Sequence, residues 1–192
     1  MKITKEWLAE KNACQDGFEW FVEQGKEFEP IPLLNLLIEE NQLDWANWLI
    51  VRVMEYKQYV SYAVYAAEQV IKNYEKQYPD DKHPREAIEA AKKCIKNPSD
   101  ENKKKAYSAA SAASSAADSA ADWAASRAAD SASLSAWSAS SAAGAAYWAA
   151  DSASSAASSA ARATARAAGW AKILKKTLKY GIELLREGKC LV

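Results

Sequence analysis

"SAASSAADSAADWAASRAAD", residues 111–130, is built almost wholly of alanine, serine and aspartate, with one tryptophan and one arginine. Whether it is filler or the packed centre of a fold decides the architecture. From Ala106 to Ala171 about half of the residues are alanine. Taken one per turn, the series 109, 113, 117, 120, 124, 128, 132, 136, 139, 143, 146, 150, 153, 157 and 160 keeps a mean step close to the 3.6 residues of an α-helical turn. Filler would not hold phase that long, and no period-two pattern argues for strands. Between Tyr107 and Ala168 only seven residues are charged: Asp118, Asp122, Asp130, Asp151, Arg127, Arg162 and Arg166. A solvent-facing helix carries far more Lys and Glu, whereas Ala and Ser let helix axes approach to about 8 Å. Serine hydroxyls can bond back to the i−4 carbonyl, so burying them need not strand a donor.

The tract therefore reads as the tightly packed middle of a helical bundle. Self-association through its Ala/Ser face and a flexible tract are the competing readings. Ice binding is set aside: such helices present regularly spaced threonines, and this tract has Thr164 alone. A single helix of this length would measure about 100 Å. At least two antiparallel segments are therefore expected, turning at Asp130–Ser133 or around Gly144.

Working upstream, residues 1–54 read as short helices. "CQDGFEWFVEQGK" places Phe18, Phe21 and Val22 on one face, with Gly25 where a helix would end. Pro30 and Pro32 break the chain before "LLNLLIEENQ", and "LDWANWLIVRVM" sets Trp45, Trp48 and Leu49 on one side. Residues 55–78 predict one amphipathic helix, with Tyr56, Tyr59, Val60, Ala63, Ala67, Ile71, Tyr74 and Tyr78 at three-to-four spacing. Pro84 suits the first position of the next helix, capped by His83 or an aspartate before it. Arg85 with Glu89, and Glu89 with Lys93, are i,i+4 partners. Pro98 ends that helix and Ser99 caps the following one. "WAKILKKTLKYGIELLREG" returns to ordinary amphipathicity, with Ile173, Leu174, Leu178, Ile182 and Leu185.

The expected fold is all-α, one compact multi-helix bundle over residues 1–192, with tightly packed Ala/Ser-rich antiparallel helices in its C-terminal half. Short helices occupy 1–54 and an amphipathic helix pair 55–98. Ala/Ser-rich helices and a C-terminal amphipathic helix fill 99–187.

Twenty-five Lys and Arg balance 25 Asp and Glu, which excludes the broad basic field of a nucleic-acid polymer binder. An apolar fraction of 49% with 8 Trp is too high for a disordered chain. No apolar run reaches the roughly 18 residues of a membrane span, and "MKITKEWLAEKNACQDG" lacks the apolar core of a signal peptide. Cys14, Cys94 and Cys190 are an odd number and far apart, as suits reduced thiols. A cytoplasmic protein is expected. His83 is the sole histidine, so a zinc site lacks ligands. Asp80–Asp81 reads as a solvated loop, and the six glycines form no phosphate-cradling loop. No cofactor, metal or catalytic constellation is expected, and the chain reads as non-enzymatic.

On alanine helices every large side chain is conspicuous. Trp123 and Arg127 are i,i+4, as are Arg162, Arg166 and Trp170 in series, and Tyr147 and Asp151, beside Trp148. Two readings stand side by side. The set lines a pocket in which guanidinium groups meet an anion and rings stack a base, or the rings fill gaps between helices while the arginines pair with aspartates. His83 and Arg85 complete the candidate binding residues.

The order "NACQDGFEWF", "DWANWLIVRVM", "YAVYAAEQVIKNYEKQYPDDKHPREAIEAAKK" and a long Ala-rich half resembles, over nearly the whole chain, a family of immunity proteins. That family is linked to bacterial polymorphic toxin systems and occurs also in phages and prophages. "YPDDKHPREAIEAA" followed by the alanine tract is the most specific part. The family pattern has an arginine where His83 stands, which weakens any role for a positive charge there. The resemblance implies an all-α, non-catalytic protein that neutralises a cognate toxin by steric occlusion, with exposed Trp, Tyr and Arg as anchors. Balanced charge argues mildly against a nuclease as that toxin. The alternative is a phage anti-defence protein that sequesters a small nucleotide immune signal on the Arg/Trp/Tyr set, as a homo-oligomer or around a deep basic pocket.

Overall fold

A computed structural model describes residues 1–122, 138–146, 150–162 and 167–188. These residues form an all-α bundle. The helices are α1 (Lys5–Glu10), α2 (Gln15–Glu23), α3 (Pro30–Glu39), α4 (Leu43–Arg52), α5 (Tyr56–Glu68) and α6 (Ile71–Gln77), then α7 (His83–Lys96), α8 (Asp100–Asp122), α9 (138–146), α10 (Ala150–Arg162) and α11 (Ala167–Glu187). Extended pairing among the described residues is confined to an isolated bridge between Ile3 and Phe28.

Left-handed residues end each of the first three helices: Asn12 at φ 56°, Gly25 at φ 64° and Asn41 at φ 60°. Asn and Gly tolerate that region best. They let the Ala13 N–H reach Leu8 O and the Gln42 N–H reach Leu37 O, closing the last turns and reversing the chain sharply. Thr4 Oγ1 caps α1 by accepting from the Trp7 N–H at 3.2 Å. Pro30 and Pro32 do not precede α3 but lie in it, with Pro30 at its start. The N–H that proline lacks would have had no partner in the first turn.

The single helix expected over 55–78 is two, interrupted at Gln69–Val70. Val70 leaves helical geometry at φ −126°, and the change of direction buries Val70, Ile71 and Tyr74 together. Val22, expected inward, is 49% exposed, because α2 turns Gly17 and Phe21 toward α4 instead. Arg85 pairs with Glu75 on α6 at 2.7 Å, not with Glu89. Glu89 meets Lys92 at 2.9 Å, and Lys92 also reaches Glu68 on α5 at 2.7 Å. A cross-helix partner for Arg85 and an i,i+3 partner for Glu89 replace the expected i,i+4 pairs. Ser99 does cap α8, accepting from the Asn102 N–H.

Helix α5 is the hub of the packing, touching α6, α7, α10 and α11. At Gly181 α11 packs tightly against α4 and α5. A Cβ built there would lie 2.6 Å from Ile50 Cδ1 and 2.8 Å from the Tyr62 ring. Buried Asn47 on α4 ties the N-terminal helices to α10. Its amide donates to Ser154 O and Ser158 Oγ, both at 3.0 Å, and its carbonyl accepts from Tyr62 Oη at 2.8 Å.

Helix α9 is the buried centre of the Ala/Ser half: every residue of 138–146 except Ser141 is buried. Gly144 lies inside it, so the chain does not turn there. Two of its serines bond across to neighbouring helices. Ser138 Oγ donates to Ala156 O on α10, and Ser140 Oγ to Ala110 O on α8. Ser114 and Ser140 hydroxyls are 2.7 Å apart. One straight helix would separate these residues by about 39 Å, so the tract is folded back on itself. The other expected turn, Asp130–Ser133, lies outside the described residues.

Candidate functional site

Among the sequence candidates, Trp123, Arg127, Tyr147, Trp148 and Arg166 lie outside the described residues. His83 and Arg85 are brought together at the start of α7. Asp81 Oδ1 accepts from the His83 backbone N–H at 2.9 Å and sits 2.8 Å from its Nδ1, while Tyr74 Oη donates to Asp81 Oδ2 at 2.7 Å. Partial burial works against the Asp81 carboxylate, but the hydrogen bonds from Tyr74 and His83 outweigh it and hold the pKa below the ordinary value. Both Asp81 oxygens are thus engaged in anchoring α7. Arg162 closes α10 on the exposed surface, and Trp170 sits half-buried in the first turn of α11, packed on the core. Among the described residues no three His, Cys, Asp or Glu side chains converge as metal ligands, and no helix is long and apolar enough to cross a membrane.

An apolar concavity lies in α1–α4. A cleft of about 320 Å³ is floored by Leu8, Leu33, Leu37 and Leu49 and walled by Trp20, Phe21, Trp45 and Trp48. It reaches solvent through the exposed residues Asn12, Cys14 and Asp44. The tight reversals after α1 and α3 bring side chains of α2 and α4 together, and Gly17 is the small residue on α2 beside the cleft. A Cβ at Gly17 would stand 3.2 Å from Cys14 Sγ and 3.6 Å from Trp45. Ring contacts fix the walls: Trp20 packs on Trp45 at 5.9 Å, and Trp7 meets Trp48 edge-on at 6.3 Å. Trp20 Nε1 donates to Glu40 at 3.0 Å, and the Arg52 guanidinium lies over Trp48 at 4.1 Å. No lysine or arginine lines the cleft. It offers apolar area with a polar rim, which suits holding an apolar group.

The sequence sets Trp45, Trp48 and Leu49 on one side of a helix but does not mark a site there. The available signal was local: Trp7, Trp20, Trp45 and Trp48 are half of the tryptophans, all within the first 48 residues.

Residues 1–58 match the family model described as the YdhT N-terminal domain. The match spans α1–α4 and the start of α5, and every residue lining the cleft falls inside it. No curated protein and no solved structure matches the chain.

Proposed function

We propose that this chain is a non-enzymatic binding protein that neutralises a cognate bacterial toxin by steric occlusion, with the tryptophan-walled cleft as the anchor point. The observation that carries the reading is a solvent-open apolar cleft walled by three tryptophans and a phenylalanine. Tryptophan-rich concavities are where protein interfaces concentrate their energy. The scaffold also fits. Asn47 hydrogen-bonds α4 to α10, so the cleft is already formed and little ordering cost attends binding. Sequestration of a nucleotide calls for cations facing the ligand. The cleft has none and is lined by Asp44, which favours the toxin reading for this site.

The test is co-production with the product of the neighbouring gene. The intact chain is expected to restore growth and to form a complex visible by native mass spectrometry. Trp45→Glu should lose both while keeping its helical circular dichroism. Failure of the intact chain to protect, or an oligomer carrying a nucleotide-sized adduct, would overturn the reading.

A further inference from the structure

We infer that the partner presents a basic segment with a large apolar side chain at its centre: the apolar group enters between Trp20, Trp45 and Trp48, and lysines or arginines around it meet the carboxylates of α1–α4. The inference rests on the cleft being a protein-docking site and adds the chemistry of what docks there.

Charge is segregated along the chain. Residues 1–55 hold 11 acidic and 5 basic side chains, a net charge of −6, whereas residues 56–192 hold 14 acidic and 20 basic, a net charge of +6. All 11 N-terminal carboxylates are exposed. Asp44 lines the cleft, Glu40 holds the Trp20 indole at its edge, and Asp16 neighbours Gly17 in its wall. The five cations are already engaged. Lys2, Lys5 and Lys11 pair with Glu27, Glu6 and Glu10, while Lys26 and Arg52 lie over Phe28 and Trp48. Residues 1–55 thus carry excess negative charge, with Asp16, Glu40 and Asp44 placed at the apolar cleft, which speeds encounter with basic surfaces and disfavours acidic ones. At about 320 Å³ the cleft is near the small end of ligand pockets, a size suited to a side chain. A second copy, offering its basic half, is the competing occupant. Such a head-to-tail contact would build rings or open filaments; the toxin reading on which the inference rests makes a different protein the occupant we assign.

Two synthetic helical peptides provide the probe, both with leucine and phenylalanine on one face, one with lysines elsewhere and its twin with glutamates. Tryptophan fluorescence should show the lysine peptide binding at least about tenfold more tightly at low salt, with the difference collapsing at high salt. Trp45→Ala should remove that binding, and Asp16→Asn with Asp44→Asn should weaken it roughly threefold without loss of helicity. Equal binding of the twins, binding of neither, or binding unaffected by Trp45→Ala would each overturn the inference. So would self-association of the chain at low salt that the lysine peptide fails to compete away. The two claims fail separately. Selectivity without protection from the toxin removes the toxin reading alone, and protection without selectivity removes the basic partner alone.

Discussion

In α1–α4 the helices are spaced by tryptophan, phenylalanine and leucine, and ring pairs such as Trp20–Trp45 at 5.9 Å enclose a cleft of about 320 Å³. In α9 the residues are alanine, serine and glycine, buried at every position but Ser141, with serine hydroxyls bonded to the carbonyls of α8 and α10. Both regions bury helix faces, but by opposite means. Large flat rings cannot tile a surface completely and leave concavity. Small side chains let backbones close together, and their hydroxyls then reach the neighbouring helix. The contrast leaves the aromatic part with an open concavity and the alanine part with a closely packed interior.

The sharpest way to break this contrast is to enlarge a residue where smallness is required. Ala157→Leu, at a fully buried position on α10, should cost about 3 kcal/mol or prevent folding, read as a drop in the urea midpoint. A neutral result would mean that α10 is not closely packed. Next comes the polar tie between the two parts. Asn47→Ala strips Tyr62 Oη, Ser154 O and Ser158 Oγ of a buried partner and should cost about 2 kcal/mol. If stability is unchanged, the tie does not hold the halves in register. Gly181→Ala sets a new Cβ against Ile50 and Tyr62, while the better helix propensity of alanine offsets part of the strain. A net loss of about 1 kcal/mol is expected from thermal unfolding, and a gain would show that α11 can move away from α4.

The smallest effect concerns pH. Asp81 is held below the ordinary carboxylate pKa by Tyr74 and His83, so the unfolded chain binds the extra proton in acid. Its stabilising contribution is present above the ordinary value of about 4 and fades as pH falls through the lowered one. In Asp81→Asn the decline of the urea midpoint from pH ~7 to ~3 should be shallower. An identical slope would show that the Asp81 contacts do not stabilise the folded chain.

Much of the fold is legible in the residues themselves. The alanine phase tracks much of the buried face: of its members Ala113, Ala139, Ala143, Ala146, Ala153, Ala157 and Ala160 are fully buried and Ala109 partly so, while Ala106, Ala110 and Ala116 are buried off the series. Gly25 ended α2 as its residue type demands, and Ser99 capped α8. Asn12 and Asn41 do the same work as Gly25, yet asparagine serves so many turn and cap roles that its identity alone did not mark them. The break at Gln69–Val70 was illegible for a different reason. The three-to-four spacing continues through it, and only the neighbouring helices decide that the chain must bend there. The cleft was the least legible feature, because concavity is a property of the angles between α1, α2, α3 and α4 and not of any one of them.

What the sequence determined by itself is the helical class and the inward-facing alanines, because helix periodicity and side-chain size are local properties that survive in any packing. What the tertiary structure decided is which donor meets which acceptor and where space is left over. Ser138 and Ser140 bond across helices while Ser61 and Ser115 bond back along their own, Arg85 chooses Glu75 over Glu89, and four tryptophan-bearing or leucine-bearing segments converge on one cleft. Those outcomes depend on helices meeting at particular distances and angles, set by the sum of many small packing energies over the whole chain.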